Sequence, residues 1–185
     1  MKLLIVINIF LFSIGCANQS ADDQQTAPEK KVSNQNKVAA EAAAVPFPVY
    51  MTFDEFEHHI QQQNDTTYVV NFWATWCKPC VAELPWFEQL IPAYKEKPVK
   101  VLLVSMDFPK QIKTKLIPFV EQRKLQNSVV ALADMDYNEW IDKVSKDWDG
   151  AIPFTLIYNS NKQQIKLGEM DGYDELENLL AGVMN

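Results

Sequence analysis

Two cysteines at the junction between a buried strand and a helix constrain this chain more than any other feature. They lie in the segment Trp76–Cys80, which reads WCKPC. Before it, the apolar and β-branched residues of Tyr68–Trp73 predict a buried strand, and after it the stretch Val81–Tyr94 predicts a helix. A Cys-X-X-Cys pair in this setting favours disulfide exchange over a purely structural crosslink.

The start of a helix is a setting that favours an ionised thiol. Unpaired backbone N–H groups and the positive end of the helix dipole stabilise an anion there, so Cys77 is expected to ionise more easily than a free thiol. Lys78 adds a weak cationic contribution, and Pro79 fixes the backbone within the first turn. Cys77 is therefore the predicted nucleophile, and Cys80, further into the helix and less exposed, is the predicted resolving thiol.

Two other interpretations of the pair are a structural disulfide and half of a metal site. Zinc sites generally take four ligands, and the sequence holds no second Cys-X-X-Cys pair. His58 and His59 are adjacent, without the spacing that usually completes such a site, and are expected to be solvated helix positions. Redox chemistry is therefore the preferred interpretation, and no metal ligand is predicted.

The remaining cysteine, Cys16, closes an N-terminal segment typical of a secretory signal. Residues 1–15 comprise one lysine, a short apolar run and a small residue before the cysteine, and the run is short for a transmembrane helix. The segment resembles the bacterial lipobox, whose cysteine is lipidated, although Ser13 stands where that motif usually has leucine. The alternative is an ordinary signal segment with an incidental cysteine. Acylation of Cys16 would leave only the Cys77–Cys80 pair as free thiols.

Composition divides the chain into a signal peptide over residues 1–15, a lipidated cysteine with a flexible tether over 16–46, and one domain over 47–185. The tether is rich in Gln, Asn, Ser, Asp, Lys and Ala and lacks apolar periodicity. The net charge of -7 at pH 7 argues against nucleic-acid binding and against electrostatic adhesion to anionic lipid. Attachment to a membrane would therefore depend on the acylated cysteine.

The rest of the domain alternates strands with helices, which predicts parallel crossovers. A capping box formed by Thr52 and Glu55 opens a predicted helix that continues to about Gln63. The further predicted elements are strands over 99–106, 128–133, 154–158 and 164–169, and helices over 111–125, 137–146 and 173–184. Pro118 is expected to bend or split the first of these helices.

Three segments together resemble the TlpA/ResA type of thiol-disulfide oxidoreductase, the extracytoplasmic, membrane-tethered branch of the thioredoxin superfamily. Asn71–Cys80, which reads NFWATWCKPC, is similar to the active-site strand and loop of that family. The sequence ELP at residues 83–85 matches its acidic and proline positions. Ala151–Thr155 is similar to the loop whose proline is cis in this superfamily.

The resemblance covers residues 49–185 and implies an α/β thioredoxin fold. This fold would have a central mixed β-sheet flanked by helices, with an extra strand and helix between Ser128 and Lys146. No clear copy of the family's N-terminal β-hairpin is visible, so the element order before Tyr68 stays open.

The resemblance also implies a cis peptide bond before Pro153, whereas the residues alone equally allow an ordinary strand-entry proline. A cis bond would turn the Ile152 backbone outward, where it can pair with an extended substrate peptide. The substrate-binding residues expected on this basis are Trp76, Lys78, Pro79, Ile152 and Pro153. The ring of Trp76 is expected to cover the sulfurs.

An acidic residue near the thiols is the last element of the expected site. Thioredoxins have a buried aspartate where this chain has Asn71, whereas Glu83 matches the acidic position of ResA-like proteins. Glu83, nearly one helical turn beyond Cys80, is therefore expected to tune both thiols and to shuttle a proton, without making a core contact that the fold requires. The alternative is a solvated glutamate with no coupling to the thiols.

These features together predict a lipid-anchored, extracytoplasmic thiol-disulfide oxidoreductase of the bacterial cell envelope that faces the periplasm. Its redox group would be the Cys77–Cys80 dithiol, with no further cofactor. The resemblance implies a membrane thiol carrier of the DsbD/CcdA type as electron donor and oxidised proteins, with apocytochrome c as a candidate, as acceptors. A monomer is expected. The alternatives are a disulfide oxidase or isomerase, a copper chaperone, and a tethered binding protein with a closed disulfide.

Overall fold

A mixed sheet with helices on both faces forms the part of the chain that the structure, a computed structural model, describes, residues 45–184. Its strands are β1 (Val49–Tyr50), β2 (Thr67–Trp73), β3 (Val99–Ser105), β4 (Ser128–Leu132), β5 (Phe154–Tyr158) and β6 (Gln163–Leu167). The α-helices are α1 (Phe53–Phe56), α2 (Lys78–Ala93), α3 (Ile117–Arg123), α4 (Tyr137–Val144) and α5 (Tyr173–Met184). Shorter helical segments are the 3-10 helices Glu57–His59 and Pro109–Gln111 and the π-helix Ile112–Leu116.

The strands lie in the order β1-β4-β3-β2-β5-β6. The pairs β1–β4, β4–β3 and β3–β2 are parallel. The pairs β2–β5 and β5–β6 are antiparallel. The carboxyl ends of β2 and β3 therefore meet at the same edge, where the two cysteines follow β2. This arrangement confirms the predicted mixed sheet and its parallel crossover.

Side chains of β2 alternate between two apolar cores, one on each face of the sheet. Val69 and Trp73 belong to the core that α2 and α5 cover, and Val70 and Phe72 belong to the opposite, aromatic-rich core. The first core also holds Leu84, Phe87, Leu103 and Leu176, and the second Phe53, Trp140, Trp148 and Phe154. Because both faces are covered, every residue of β2 is buried.

The segment before β2 differs from the sequence prediction. The short edge strand β1, which the sequence did not reveal, pairs Val49 with Ala131 of β4. The helix after it ends as a 3-10 turn at His59, so the predicted continuation to Gln63 is wrong. The physical reason is that no large apolar residue follows Ile60 before Tyr68, so a longer helix would have nothing further to bury.

The segment between β3 and β4 confirms that Pro118 interrupts a single helix. A 3-10 turn leads into a π turn, in which the Ile117 N–H donates to the carbonyl oxygen of Ile112, five residues earlier. Pro118, which has no N–H to donate, then occupies the first turn of α3. The helix ends at Arg123, and Lys124 closes it with a left-handed backbone (φ 53°).

Two elements near the carboxyl end of the chain occupy the predicted residues, β5 over Phe154–Tyr158 and α5 over Tyr173–Met184, whereas β6 begins and ends slightly earlier than predicted. Within residues 45–184 none of the helices combines the length and the apolar character that crossing a bilayer requires. The predicted signal, Cys16 and most of the tether lie outside the described residues.

Candidate active site

The Cys-X-X-Cys pair lies at the very beginning of α2. The helix begins at Lys78, three residues earlier than predicted, so the motif forms its first turn, and Cys77 is its N-cap. The Cys80 backbone N–H donates to Cys77 Sγ at 3.3 Å. Cys77 and Cys80 form a disulfide, with their Cα atoms 5.3 Å apart. A helix N-terminus with a donor aimed at Cys77 Sγ favours the thiolate of this residue after reduction.

The two cysteines differ in exposure, as expected from their positions. Cys77 is 6% exposed and Cys80 is fully buried. Lys78 and Pro79, between them, are exposed. A partner approaching this surface therefore meets Cys77 first, flanked by two residues that are predicted to contact substrate.

The loop before β5 reaches the disulfide from the other side. The peptide bond between Ile152 and Pro153 is cis, which confirms the prediction for this proline. The carbonyl oxygen of Ile152 lies 3.8 Å from Cys77 Sγ. The backbone of Ile152 is thus adjacent to the sulfur that is predicted to attack.

An exposed aromatic pair includes Trp76, the residue directly before Cys77. Trp76 is 51% exposed and Phe108 is 42% exposed, and their rings stack with centroids 5.9 Å apart. They border a hollow of about 300 Å³ that Tyr137 and Ile141 of α4 also line. Gly150, with φ +88°, allows the Ile141 side chain to pack against the backbone of its loop, because a Cβ at Gly150 would lie 2.5 Å from Ile141 Cδ1.

Sequence reasoning selected Trp76 but missed Phe108, Tyr137 and Ile141. The strand order would have indicated these residues, because residues that follow neighbouring parallel strands meet at one edge of the sheet. Phe108 follows β3 in this way, and α4 follows β4.

A buried carboxylate holds the loop that carries the cysteines, and sequence reasoning missed it too. Asp107, 1% exposed, accepts hydrogen bonds from the Thr75 backbone N–H at 3.0 Å and from the Thr75 hydroxyl. The Ser105 hydroxyl donates to the same carboxylate at 2.8 Å. Three donors converge on Asp107 and join the end of β3 to the residue two before Cys77.

Replacing Asp107 with alanine is expected to lower the free energy of unfolding by about 3 kcal/mol, because three hydrogen-bond donors lose their acceptor. Urea denaturation of the two proteins measures the difference. As a matched control, Asp142→Ala removes an exposed aspartate and should change the value by less than about 0.5 kcal/mol. A difference for Asp107→Ala as small as that of the control would show that these three hydrogen bonds do not stabilise the fold.

Glu83 is a core residue rather than a solvated one. It is 1% exposed and accepts hydrogen bonds from Asn71 Nδ2 at 3.1 Å and from the Met170 backbone N–H at 3.2 Å. The expectation that it makes no core contact is therefore wrong. Burial raises the pKa of Glu83 to about 7, against the opposing effect of the hydrogen bonds from Met170 and Asn71. Its carboxyl group can thus gain or lose a proton near neutral pH.

The adjacent histidines lie at the other end of the central strand. His59 Nε2 is 2.8 Å from the Tyr50 hydroxyl, and the Tyr158 hydroxyl donates to the His59 carbonyl oxygen at 3.0 Å. Tyr158 pairs with Tyr68 near the start of β2, so about 16 Å of strand separates this region from the cysteines. Burial, and then the neighbouring His58, lower the pKa of His59. The histidines therefore do not converge with the thiols, and residues 45–184 contain no cluster of three metal-ligating side chains.

A mixed sheet, a Cys-X-X-Cys disulfide at a helix start and a cis-proline loop beside it define a protein of the thioredoxin fold. StoA of Bacillus subtilis superposes with a TM-score of 0.50 and 22% identity, over 65% of this chain and 85% of that one. A thiol:disulfide interchange protein of the thioredoxin family from Chlorobium tepidum TLS gives 0.51 and 19%, over 65% and 81%. The chain belongs to the AhpC/TSA family, whose model matches residues 27–168.

The sequence is also similar to curated proteins of the type that the motifs predicted. A thiol-disulfide oxidoreductase ResA of Bacillus cereus is 30% identical over 105 residues, which are 52% of this chain. The chain spans 58% of the length of that relative and smaller shares of other ResA proteins that it matches. The resemblance on which the predicted fold depends is thereby confirmed.

Proposed function

We propose that the protein is a thiol-disulfide oxidoreductase that reduces protein disulfides. The observation that supports this most directly is the Cys77–Cys80 disulfide at the start of α2, with the more accessible sulfur facing the cis-proline loop. The similarity to ResA supports the same reaction.

The reaction takes place in two thiol-disulfide exchange steps. The Cys77 thiolate attacks one sulfur of the substrate disulfide, forms a mixed disulfide and releases the other substrate sulfur as a thiolate, which takes up a proton. The Cys80 thiolate then attacks Cys77 Sγ, releases the second substrate thiol and closes the Cys77–Cys80 disulfide. Two electrons pass from the dithiol to the substrate, and an external dithiol must restore the reduced pair.

Each residue of the site has a defined part in these steps. The helix N-terminus and the Cys80 N–H stabilise the Cys77 thiolate before attack. The backbone of Ile152 offers hydrogen-bonding groups to an extended substrate next to its disulfide. Glu83, buried and protonated in part near neutral pH, supplies or accepts a proton within the same helix.

Reduction of insulin disulfides with a dithiol as electron source tests the proposal, and Cys77→Ser is the matched inactive protein. The two-electron reduction potential then separates a reductant from an oxidase or isomerase. We expect a value nearer to about -270 mV, as in thioredoxin, than to about -120 mV, as in the strong oxidant DsbA. A reduction potential of about -120 mV would indicate that the protein forms disulfides in its substrates rather than reducing them. The absence of any disulfide exchange would overturn the proposal.

The cellular setting is part of the proposal and is supported by the N-terminal sequence and by the resemblance to ResA. The protein is a lipoprotein of the bacterial cell envelope, tethered through Cys16 and facing the periplasm. A membrane thiol carrier of the DsbD/CcdA type supplies electrons, and apocytochrome c is a candidate acceptor.

Cys16→Ser is expected to prevent lipid attachment, so the protein either leaves the membrane fraction or accumulates as an unprocessed precursor. Fractionation of cells and mass spectrometry of the mature N-terminus measure both results. Ser13→Leu, which restores the usual lipobox residue, is the matched control and should stay attached. Cleavage at another position with an unmodified Cys16 would contradict the lipid anchor.

Metal removal is expected to leave disulfide reduction unchanged, because the histidines and the thiols lie at opposite ends of β2. A strong chelator should not alter the rate of insulin reduction, and replacing His58 and His59 with alanine should leave that rate within about twofold. Tight stoichiometric copper binding that the double variant loses would instead support a copper chaperone.

A further inference from the structure

The side-chain amide of Asn71 has an unusual set of partners. Its Nδ2 atom donates to Glu83 Oε1 at 3.1 Å and to Thr155 Oγ1 at 3.0 Å. Its Oδ1 atom is buried and accepts no hydrogen bond. Asn71 is 0% exposed, Glu83 1% and Thr155 2%, so these side chains present almost no surface to solvent. An acceptor buried without a partner is costly, which calls for a physical reason.

The present orientation of the amide suits an ionised Glu83. Nδ2 is purely a donor, and it faces a carboxylate oxygen that is purely an acceptor. If Glu83 gains a proton on Oε1, a hydroxyl donor then faces an amide donor, and the hydrogen bond is lost. Turning the amide over by about 180° restores it, because the nitrogen and oxygen of an amide exchange places in nearly the same volume.

We propose that Asn71 is a positioning residue whose amide turns over when Glu83 gains a proton. Oδ1 then accepts from the Glu83 hydroxyl and from the Thr155 hydroxyl, which rotates to donate. Each orientation makes two hydrogen bonds and leaves one amide atom without a partner, so the Glu83 proton decides between them. The step moves no electrons, and the proton comes from the thiols or from solvent.

The charges around Glu83 allow both protonation states to be populated. Burial and, to a smaller extent, Glu169 raise the pKa of Glu83, whereas the hydrogen bonds from Met170 and Asn71 and the charge of Lys166 on β6 lower it, and the net value is about 7. Lys166 is itself paired with Glu175 of α5, with Nζ and Oε1 2.6 Å apart, and Asp171 adds a further negative charge beside it. The groups that β2 and β5 contribute, Asn71 and Thr155, are neutral.

This turnover would connect the helix that carries the cysteines with the cis-proline loop. The connection rests on the proposed function. Glu83 lies in α2 three residues after Cys80, and Thr155 lies two residues after the cis proline. An asparagine can serve both protonation states because it carries a donor and an acceptor. An aspartate would bring a second carboxylate against Glu83, and leucine would offer neither group.

The side-chain amide signals of Asn71, observed by NMR in the full chain labelled with ¹⁵N-asparagine, test the proposal directly. We expect them to shift between pH 5 and pH 9 with a midpoint near the value of about 7 for Glu83, and to be independent of pH in Glu83→Gln. The exposed Asn138 is the internal control and should not follow this titration. Signals of Asn71 that stay constant in the wild type would overturn the turnover.

Variants of both partners separate positioning from simple packing. Asn71→Leu removes the donor to ionised Glu83, so the pKa of Glu83 should rise, and the effect of Glu83 on the pH dependence of Cys77 alkylation should move upward by about one pH unit. If that variant does not fold, the Thr155 pair decides: Thr155→Ser should keep the Asn71 titration, and Thr155→Val should diminish it. Equal titrations in Thr155→Val and wild type would overturn the part assigned to Thr155.

Failure of this inference can be told apart from failure of the proposed function. Wild-type protein that reduces insulin while the Asn71 signals stay constant would overturn only the turnover. Protein that shows the titration but reduces no disulfide would overturn only the proposed reaction.

Discussion

Cys77→Ser is expected to abolish disulfide reduction, whereas Cys80→Ser should accumulate mixed disulfides between Cys77 and its substrates. Cys77 is the helix N-cap, accepts the Cys80 N–H and is the more exposed sulfur, so the attack depends on it. Cys80 is fully buried and meets only the mixed disulfide that forms on Cys77. Insulin reduction measures the loss, and non-reducing electrophoresis detects the trapped complexes.

Alkylation of the reduced single variants supplies the control, because serine preserves the shape of each thiol. The thiol of Cys77 in Cys80→Ser should react at least about tenfold faster at neutral pH than that of Cys80 in Cys77→Ser. Equal rates would contradict the division of labour between the two sulfurs.

Glu83→Gln is expected to change how stability depends on pH. The pKa of Glu83 rises from 4.5 in the ordinary state to about 7 in the folded protein, so between these values the folded state binds more protons than the unfolded state. Stability that the protonated carboxyl contributes is complete below about pH 4.5 and is lost as the pH rises through 7. This loss amounts to about 3 kcal/mol in wild type and is absent in the glutamine variant.

Urea denaturation at pH 4.5 and at pH 8 measures this difference. The variant should be about as stable as wild type at the lower pH, because an amide, like a protonated carboxyl group, offers one acceptor to the Met170 N–H and one donor to Asn71. At the higher pH, where wild type carries a buried carboxylate, the variant should be the more stable protein. Glu121→Gln, which changes an exposed glutamate, should follow wild type at both values. A variant whose stability runs parallel to wild type across this range would contradict the raised pKa.

The same substitution should also affect the thiols. An ionised carboxylate near the sulfurs disfavours a thiolate, so Cys77 in Glu83→Gln should ionise at a lower pH than in wild type. A displacement of one pH unit would correspond to about 1.4 kcal/mol of coupling. Thiolate absorbance against pH measures it, and superimposable curves would leave Glu83 without an electrostatic effect on Cys77.

Much of the fold was predictable because the patterns that decide it are local. The apolar run Phe154–Tyr158 and the periodic stretch Tyr173–Met184 became β5 and α5 with the predicted bounds. By contrast, β1 contains two residues whose pairing partner in β4 lies about 80 positions away, so no local pattern indicates it. The helix that follows β1 ends at His59 because the residues after Ile60 offer no apolar surface to bury. A capping box predicts where a helix begins but not where it ends.

The sequence by itself determined the reactive pair, because a Cys-X-X-Cys motif between a buried strand and a helix sets the position of both sulfurs through local geometry. It also indicated the cis proline and Glu83 through resemblance. Only the tertiary structure decided that Glu83 is buried against Asn71 and Met170, that Asp107 holds Thr75, and that Phe108 meets Trp76. Burial and hydrogen bonding depend on which distant segments the sheet brings together, and no local sequence pattern records those long-range contacts.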